Sequence, residues 1–242
     1  MSLWRRHKAA QIRWGPAHNQ LLDLYLPEDE PRGIVALVHG GFWRALYGRE
    51  GLGDHCRMFA SDGYVAGFAG LAYRRVGEAG GGWPGTCTDV VGGLQALMDA
   101  HGPLTAVIGH SAGGHLALWA AKELTPRPKV VISVAGCNDL GRAQHINAGN
   151  GAVDDFLGGP GKLAELVAAD PIRRVPLGTK TVLIVPEDDG VVSQSLSESY
   201  LKTASAAGDD VTLQRVVGDH FAILDVGSPV WSAVTAAVDA AT

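Results

Sequence analysis

Two kinds of segment alternate along the chain, short apolar runs and longer stretches with helical spacing of apolar positions. The apolar runs predict strands at 33–38, 64–69, 104–108, 130–134, 181–185 and 211–217. Helices are predicted between and after them, at 54–60, 88–100, 116–124, 193–207 and 231–241. Nearly continuous apolar strands are typical of sheets covered on both faces. The pattern therefore predicts an α/β fold, with a mainly parallel sheet between helices.

One segment, 141–176, interrupts this alternation. It is rich in Gly, Asn and Asp, and only a short piece at 163–168 has helical spacing. We expect a single domain over 1–242 in which 141–176 is a lid-like insertion near the strand ends. A surface loop without a catalytic role is the alternative interpretation.

Composition narrows the class of protein. With 46% hydrophobic and 19% charged residues, the 242-residue chain can bury a large core. A net charge of −5 gives no reason to expect nucleic acid or an anionic membrane as a partner, and no apolar run has the length of a membrane span. Cys56, Cys87 and Cys137 are scattered without C-x-x-C spacing, which favours a reducing, cytoplasmic compartment over disulfides or a zinc site.

The most specific motif is Gly109-His110-Ser111-Ala112-Gly113, between the strand at 104–108 and the helix at 116–124. G-x-S-x-G at such a junction predicts a nucleophile elbow, a sharp turn that exposes the serine at the top of a sheet. Ser111 is the predicted nucleophile. The first helical amides, starting with Ala112, are placed to stabilise an anion beside it.

A second glycine-rich turn, His39-Gly40-Gly41-Phe42-Trp43, follows the strand at 33–38. Paired with the elbow, it predicts an oxyanion hole formed by the N–H groups of Gly41 and Phe42 together with Ala112. His39 is expected to brace this loop rather than to act as a base. An ordinary turn at a strand end is the alternative.

The predicted general base is His220, in Gly218-Asp219-His220-Phe221, because this loop follows the last predicted strand. This histidine follows the serine along the chain, and the segment between them has room for the acid that orients such a base. A neutral histidine base predicts activity that rises through about pH 6 to 7. The histidines considered less suitable are His39, His110, His115 and His145.

The acid is expected in Glu187-Asp188-Asp189, just after the strand at 181–185. We predict Asp188, because its D-x-x-V spacing to Val191 leads into the next helix. The alternatives are Asp189, Glu187 and Asp139.

Aromatic residues near these motifs are candidates for a substrate pocket, although packing in the core is an equal alternative for each. The residues are Trp43, Tyr73, Trp83 and Phe221.

Together the motifs HGGFW, GHSAGGHLALW, the acidic turn and GDHF resemble the α/β-hydrolase superfamily. Within it they are similar to the branch of microbial carboxylesterases, BD-FAE-like proteins and kynurenine (aryl) formamidases. Tyr73-Arg74, followed by Trp83-Pro84, resembles an architectural segment of these enzymes. Two positions depart from relatives: Phe42 replaces the third glycine of hormone-sensitive-lipase-like enzymes, and Val185-Pro186-Glu187 replaces the usual His-Gly pair before the acid.

The resemblance implies a cofactor-free serine hydrolase that cleaves a small or aromatic carboxylic ester through an acyl-enzyme on Ser111. The alternatives are an arylformamidase acting on substrates such as N-formylkynurenine, and a catalytically silent binding protein. The partner implied is a small-molecule ester or amide, and a homodimer is plausible by resemblance alone. No H-E-x-x-H or comparable ligand spacing indicates a metal.

Overall fold

A computed structural model of the protein describes residues 9–18, 20–46, 52–68 and 73–242. The strands in this part are β1 (Ala9–Arg13), β2 (Leu21–Tyr25), β3 (Gly33–Val38), β4 (Tyr64–Phe68), β5 (Ala106–His110), β6 (Val130–Val134), β7 (Lys180–Pro186) and β8 (Val211–Val216). The helices are α1 (Gly53–Ser61), α2 (Gly85–His101), α3 (Ala112–Ala121), α4 (Leu140–His145), α5 (Ala152–Leu157), α6 (Leu163–Ala169), α7 (Ser195–Ala206) and α8 (Pro229–Asp239). Short 3-10 turns cover Pro171–Arg174 and Ala222–Leu224.

The described strands form one sheet in the order β1-β2-β4-β3-β5-β6-β7-β8. From β4 to β8 all neighbours are parallel, and β2 joins β1 and β4 in antiparallel pairing. The predicted mainly parallel α/β architecture is confirmed. The two antiparallel strands β1 and β2 were not predicted, because polar residues interrupt them and they lack the continuous apolar run that identifies the central strands.

The centre of the sheet is covered on both faces. Every residue of β5 and β6 is buried, and successive side chains of a strand point to opposite faces. The edge strand β8 is half exposed. None of the helices in the described part of the chain has the length and apolarity that crossing a bilayer requires.

Most predicted elements occur with small shifts in their bounds, and Ala69, the last residue of the predicted strand 64–69, lies outside the described residues. The largest shift is around the elbow: the strand predicted at 104–108 is β5 (Ala106–His110), and α3 begins directly after Ser111 instead of at 116. The glycines after Ser111 hid this first helical turn from the sequence pattern, because glycine is a poor helix former.

The segment 141–176 carries more helix than expected. It contains most of α4, all of α5 and α6, and a 3-10 turn. Its apolar side chains, among them Phe156 and Leu157, are buried in the main core. The segment leaves the carboxyl end of β6, so it packs at the edge of the sheet where Ser111 lies. Its role as a lid stays a prediction.

Candidate active site

Ser111 stands in a strained turn at the carboxyl end of β5. Its backbone has φ 57° and ψ −122°, a conformation that costs about 1–3 kcal/mol in a residue other than glycine. Its N–H donates to the Val134 carbonyl at 2.9 Å, and Cys137 N–H donates to the Ser111 carbonyl at 3.2 Å. One bond to the last residue of β6 and one from the chain just after it thus hold the turn.

Three glycines allow the elbow to pack this closely. A Cβ on Gly109 would lie 2.1 Å from the Gly113 carbonyl oxygen, and one on Gly113 would lie 2.2 Å from that of Val38. A Cβ on Gly40 would lie 2.8 Å from Cβ of Ser111. The G-x-S-x-G spacing therefore lets α3 cross the ends of β3 and β5, and it brings the turn after β3 against Ser111.

The three predicted oxyanion donors are available. Within the described residues, the N–H groups of Gly41, Phe42 and Ala112 donate no hydrogen bond. Ala112 opens α3, where the first-turn amides have no partner inside the helix. Gly41 and Phe42 have φ of 108° and 50°, an unusual run of left-handed residues beside Ser111. Amides arranged in this way can bind an anion that forms on Ser111.

His39 and Tyr73 brace the turn after β3 from behind. Their rings stack with centroids 4.7 Å apart, and the Tyr73 hydroxyl donates to the His39 carbonyl at 3.0 Å. His39 Nδ1–H donates to the Gly40 carbonyl. Burial lowers the pKa of His39 to about 4. A neutral, buried ring of this kind fits the bracing role predicted for His39.

His220 forms a buried pair with Asp189. Its Nδ1–H donates to Oδ2 of Asp189 at 2.8 Å, and their side chains are 4% and 2% exposed. Burial alone would raise the pKa of Asp189, but the bond from His220 and those from the N–H groups of Val192 and Val191 lower it below its ordinary value. The His220 carbonyl accepts from Nε2–H of His110 at 2.8 Å. This bond ties the histidine loop to the residue before Ser111.

The prediction that Asp188 pairs with the histidine is wrong. The N–H groups of Glu187 and Asp188 donate to the carbonyls of Val216 and Gly218, so the chain stays beside β8 and both side chains are exposed. The turn inward comes one residue later, at Asp189, whose Oδ1 accepts from Val191 and Val192 at 2.8 Å.

The fourth acid considered, Asp139, has another function in the fold. Its Oδ1 accepts the Arg142 N–H at 2.8 Å and caps α4, and its Oδ2 accepts the Ser199 hydroxyl at 2.6 Å. Both oxygens therefore have partners in the insertion and in α7.

Other histidines near the elbow are neutral and structural. Burial lowers the pKa of His110 to about 3 and that of His115 to about 4. His115 accepts from Nε1–H of Trp43 at 3.1 Å and donates to the Ala169 carbonyl at 2.9 Å. His145 lies exposed on α4. His220 is thus the histidine that combines a carboxylate partner with a place beside the elbow.

The predicted aromatic pocket is not formed as expected. Trp43 and Tyr73 are each 1% exposed and belong to the core, where Trp43 stacks on Phe156 at 4.8 Å. Trp83 is half buried and meets Trp119 edge to face. Phe221 is 56% exposed, and its ring lies 5.1 Å from that of His220. Of the four, Phe221 is the most exposed, and a contact of its ring with substrate stays a prediction.

A recess of about 420 Å³ lies elsewhere, between α1, α8 and the start of β4. Arg32 and Tyr64 line it at the amino ends of β3 and β4, whereas Ser111 lies at the carboxyl ends. Arg32 and the Tyr64 hydroxyl both bond Asp239 there, while the indole N–H of Trp231 has no partner among the described residues. The recess thus lies at the opposite end of the sheet from Ser111. We therefore do not place the substrate there. In the described part of the chain no three His, Cys, Asp or Glu side chains are grouped as ligands for a metal ion.

Comparison with solved structures identifies the fold. Esterase B from Lactobacillus Rhamnosis matches 99% of this chain and 87% of its own, with 21% identity and a TM-score of 0.79. Carboxyl esterase 2 from the mycorrhizal fungus Tuber melanosporum matches 99% and 88%, with 18% identity and a TM-score of 0.73. A thermophilic esterase from the Planctomycetes species Thermogutta terrifontis matches 96% and 90%, again with 18% identity and a TM-score of 0.73.

Comparison of the sequence with protein-family models and with curated proteins finds no match. The structural likeness extends over nearly the whole chain. The chain therefore has the α/β-hydrolase fold that its motifs predicted.

Proposed function

We propose that this protein is a serine hydrolase that cleaves a small carboxylic ester. The observation that carries the proposal is the buried Asp189–His220 pair, which the bond between the His220 carbonyl and His110 ties to the residue before the strained Ser111. A nucleophile, a base oriented by a third group and unpaired amides together form the arrangement that acyl transfer needs.

In the first step, Oγ of Ser111 attacks the ester carbonyl carbon while Nε2 of His220 takes the hydroxyl proton. Asp189 accepts the hydrogen bond from Nδ1–H, which keeps Nε2 free to act as the base and stabilises the imidazolium that forms. The carbonyl oxygen becomes the oxyanion, and the N–H groups of Gly41, Phe42 and Ala112 bind it. His220 then returns the proton to the leaving alkoxide, and the C–O bond to the alcohol breaks.

In the second step, water attacks the acyl-enzyme carbonyl with His220 again as base. The intermediate collapses to the carboxylic acid, and Ser111 recovers its proton. The low pKa of Asp189 supports this cycle, because the carboxylate stays charged throughout it.

The choice of an ester is supported by the esterases that share the fold. Esterase B has also been solved inhibited with a tributyrin phosphonate, which makes a phosphonate a suitable probe for the present site. An N-formyl amide of the arylformamidase type is the competing substrate, which Phe42 in the HGGFW motif favours. Turnover of p-nitrophenyl acetate beside N-formylkynurenine distinguishes the two classes.

The test is labelling with a fluorophosphonate and hydrolysis of p-nitrophenyl acetate by wild type, Ser111→Ala and Ser205→Ala. Ser205 is an exposed serine on α7 and serves as the matched control. We expect wild type and the control to be labelled and active, and Ser111→Ala to lose both properties. A folded wild type that is neither labelled nor active would overturn the proposal in favour of a silent binding protein. Labelling that persists in Ser111→Ala would place the nucleophile elsewhere.

We further propose that the enzyme acts in the cytoplasm on a small molecule, without nucleic acid, and forms a homodimer. Cys56, Cys87 and Cys137 are free and buried, which suits a reducing compartment. Light scattering of the purified protein tests the dimer directly.

A further inference from the structure

The loop that carries two of the oxyanion donors is tied to the insertion by one side chain, Arg44. Its Nη1 donates to the Gly149 carbonyl at 2.8 Å and its Nη2 to the Asn150 carbonyl at 3.0 Å. Nη2 and Nε also donate to Oδ2 of Asp155, at 2.7 and 3.1 Å. A single guanidinium thus makes four bonds to the segment 149–155.

Arg44 is also part of the oxyanion loop itself. Its N–H donates to the Gly41 carbonyl at 3.0 Å and closes the turn that contains Phe42. The Gly41 carbonyl and the Phe42 N–H belong to the same peptide, so this bond fixes the orientation of one donor amide directly and holds the turn that follows the other.

The insertion is shaped to receive this loop. Asn147, Gly149, Asn150 and Gly151 all have positive φ, a conformation that asparagine and glycine tolerate best. The ring of Phe42 lies so close to Gly149 that a Cβ there would be 2.6 Å from it. Loop and insertion thus fit each other at two points, the ring on Gly149 and the guanidinium on the carbonyls beyond.

Such support is needed because the loop is strained. Phe42 and Trp43 have φ of 50° and 58°, and such residues keep this conformation only where the surroundings hold them. Trp43 is held by the core, through His115 and Phe156. Phe42 is half buried against the core, and the backbone after it pairs with Val76. From the insertion, the contacts to this side of the turn are those of Gly149 with the Phe42 ring and of Arg44.

We propose that Arg44 is a positioning residue for the oxyanion hole. By clamping residues 149–155 onto the turn, it holds the N–H groups of Gly41 and Phe42 toward the oxyanion, and the insertion acts as a fixed brace at this end. The inference rests on the proposed hydrolase function. The Arg44 and Asp155 side chains are 28% and 50% exposed, and ion pairs this exposed add little to the free energy of unfolding. Loss of the pair should therefore change the position of the loop without unfolding the protein.

The test compares Arg44→Ala and Arg44→Lys with Arg142→Ala. Arg142 belongs to the same insertion, but its side chain bonds the hydroxyl of Ser195 at the start of α7, so we expect its loss to leave the oxyanion loop unchanged. Loss of one oxyanion donor typically lowers the rate about 10²–10³-fold. In Arg44→Ala the donors remain but are displaced, so the effect should be smaller. We expect kcat on p-nitrophenyl acetate to fall about 10–100-fold, with KM changed less than threefold. Arg44→Lys should fall between wild type and Arg44→Ala, and Arg142→Ala should stay within twofold of wild type.

A readout specific to the oxyanion is the affinity for a trifluoromethyl ketone. Oγ of Ser111 adds to its carbonyl carbon, the proton passes to His220, and the carbonyl oxygen becomes the bound anion. We expect its Ki to rise in Arg44→Ala by the same factor by which kcat falls, while Ki for phenol, a neutral analogue of the leaving group that forms no oxyanion, is unchanged. A merely structural change would raise both inhibition constants or neither.

The outcomes separate this inference from the function on which it rests. If wild type is not labelled by the fluorophosphonate, the proposed function fails. If wild type is labelled and Arg44→Ala matches Arg142→Ala in kcat and in ketone Ki, the clamp is refuted and the function stands. Should Arg44→Ala fail to fold, Arg44→Lys decides, because wild-type ketone affinity in that variant equally refutes the clamp.

Discussion

Replacing Asp189 by Asn tests the site at its most informative point. Oδ1 of Asp189 accepts the N–H groups of Val191 and Val192, and Oδ2 accepts Nδ1–H of His220. An asparagine keeps Oδ1 and therefore keeps the turn. Its amide nitrogen takes the place of Oδ2 and donates to Nδ1 of His220. The ring must then carry its proton on Nε2, the atom that has to accept the proton of Ser111.

The size of the effect follows from this reversal. The side chains of the pair are buried, 2% and 4% exposed. Water therefore has little access to bond Nδ1–H and stabilise the tautomer in which Nε2 is the base. In serine–histidine–aspartate enzymes the same change lowers kcat about 10⁴-fold, which corresponds to about 5.5 kcal/mol of activation free energy. We expect a fall of about 10³–10⁴-fold in Asp189→Asn. The free energy of unfolding should change by less than about 1 kcal/mol, because the turn retains its acceptor.

The assay is p-nitrophenyl acetate hydrolysis with urea unfolding measured alongside, and Asp188→Asn is the matched control. Asp188 is the adjacent residue, carries the same charge and is exposed, so its variant should keep kcat within twofold. Equal losses in the two variants, or a loss in Asp188→Asn alone, would refute the assignment of the acid to Asp189.

Three further predictions concern stability. Gly113→Ala should destabilise the fold by more than about 3 kcal/mol because its Cβ meets a backbone carbonyl at 2.2 Å, whereas Gly190→Ala, which meets nothing within 4 Å, should change stability by less than about 0.5 kcal/mol in urea unfolding. Trp43→Phe leaves Nδ1 of His115 buried without its donor, and we expect a loss of about 1–3 kcal/mol in the same measurement. Burial raises the pKa of Asp170 to about 6, so the folded protein favours the protonated form of this side chain. Its contribution to the free energy of unfolding is complete below about pH 4, falls as the pH rises, and is lost above pH 6; the total change is roughly 3 kcal/mol at most. Asp170→Asn should therefore destabilise the protein more at pH 4.5 than at pH 7, and an equal effect at both would contradict the burial argument.

The central elements of the fold could be predicted because their sequences carry one dominant signal. The run 130–134 is apolar except for Ser133 and forms β6 with the same bounds. Ser111 could be placed in a turn because glycines flank it, and the structure shows two of them at backbone contacts that exclude a Cβ. At these positions the local backbone conformation and the tertiary packing require the same residue types, so the sequence pattern is sufficient to predict the structure.

The acid required information that spacing alone does not contain. Asp188 and Asp189 each have a valine three residues later, because Val191 and Val192 are adjacent. What separates them is burial: Val192 is 3% exposed and Val191 39%. The buried valine marks the register of the turn, but which of two neighbouring valines is buried depends on how the turn meets β8.

The contact between Arg44 and Asp155 could not be predicted from the sequence for a different reason. Neither belongs to a motif, and 111 residues separate them along the chain. Similarly, the aromatic character of Trp43 suggested a pocket, while its bond to His115 places it in the core. Contacts of this kind depend on how an insertion folds back onto a distant loop, which no local pattern records.

The left-handed residues show why these distant contacts matter for function. Ser111 follows β5, Ala135 follows β6, and Phe42 and Trp43 follow β3; all four have φ between 50° and 58°. At about 1–3 kcal/mol each, this strain is comparable with a large part of the net stability of an ordinary domain. It lies at the edge of the sheet where the oxyanion would form, and it is held by glycine packing, by Trp43 in the core and by Arg44 on the insertion. Removing one of these supports should let the loop relax while the sheet remains folded. In such a variant we therefore expect activity to be lost although most of the protein is still folded.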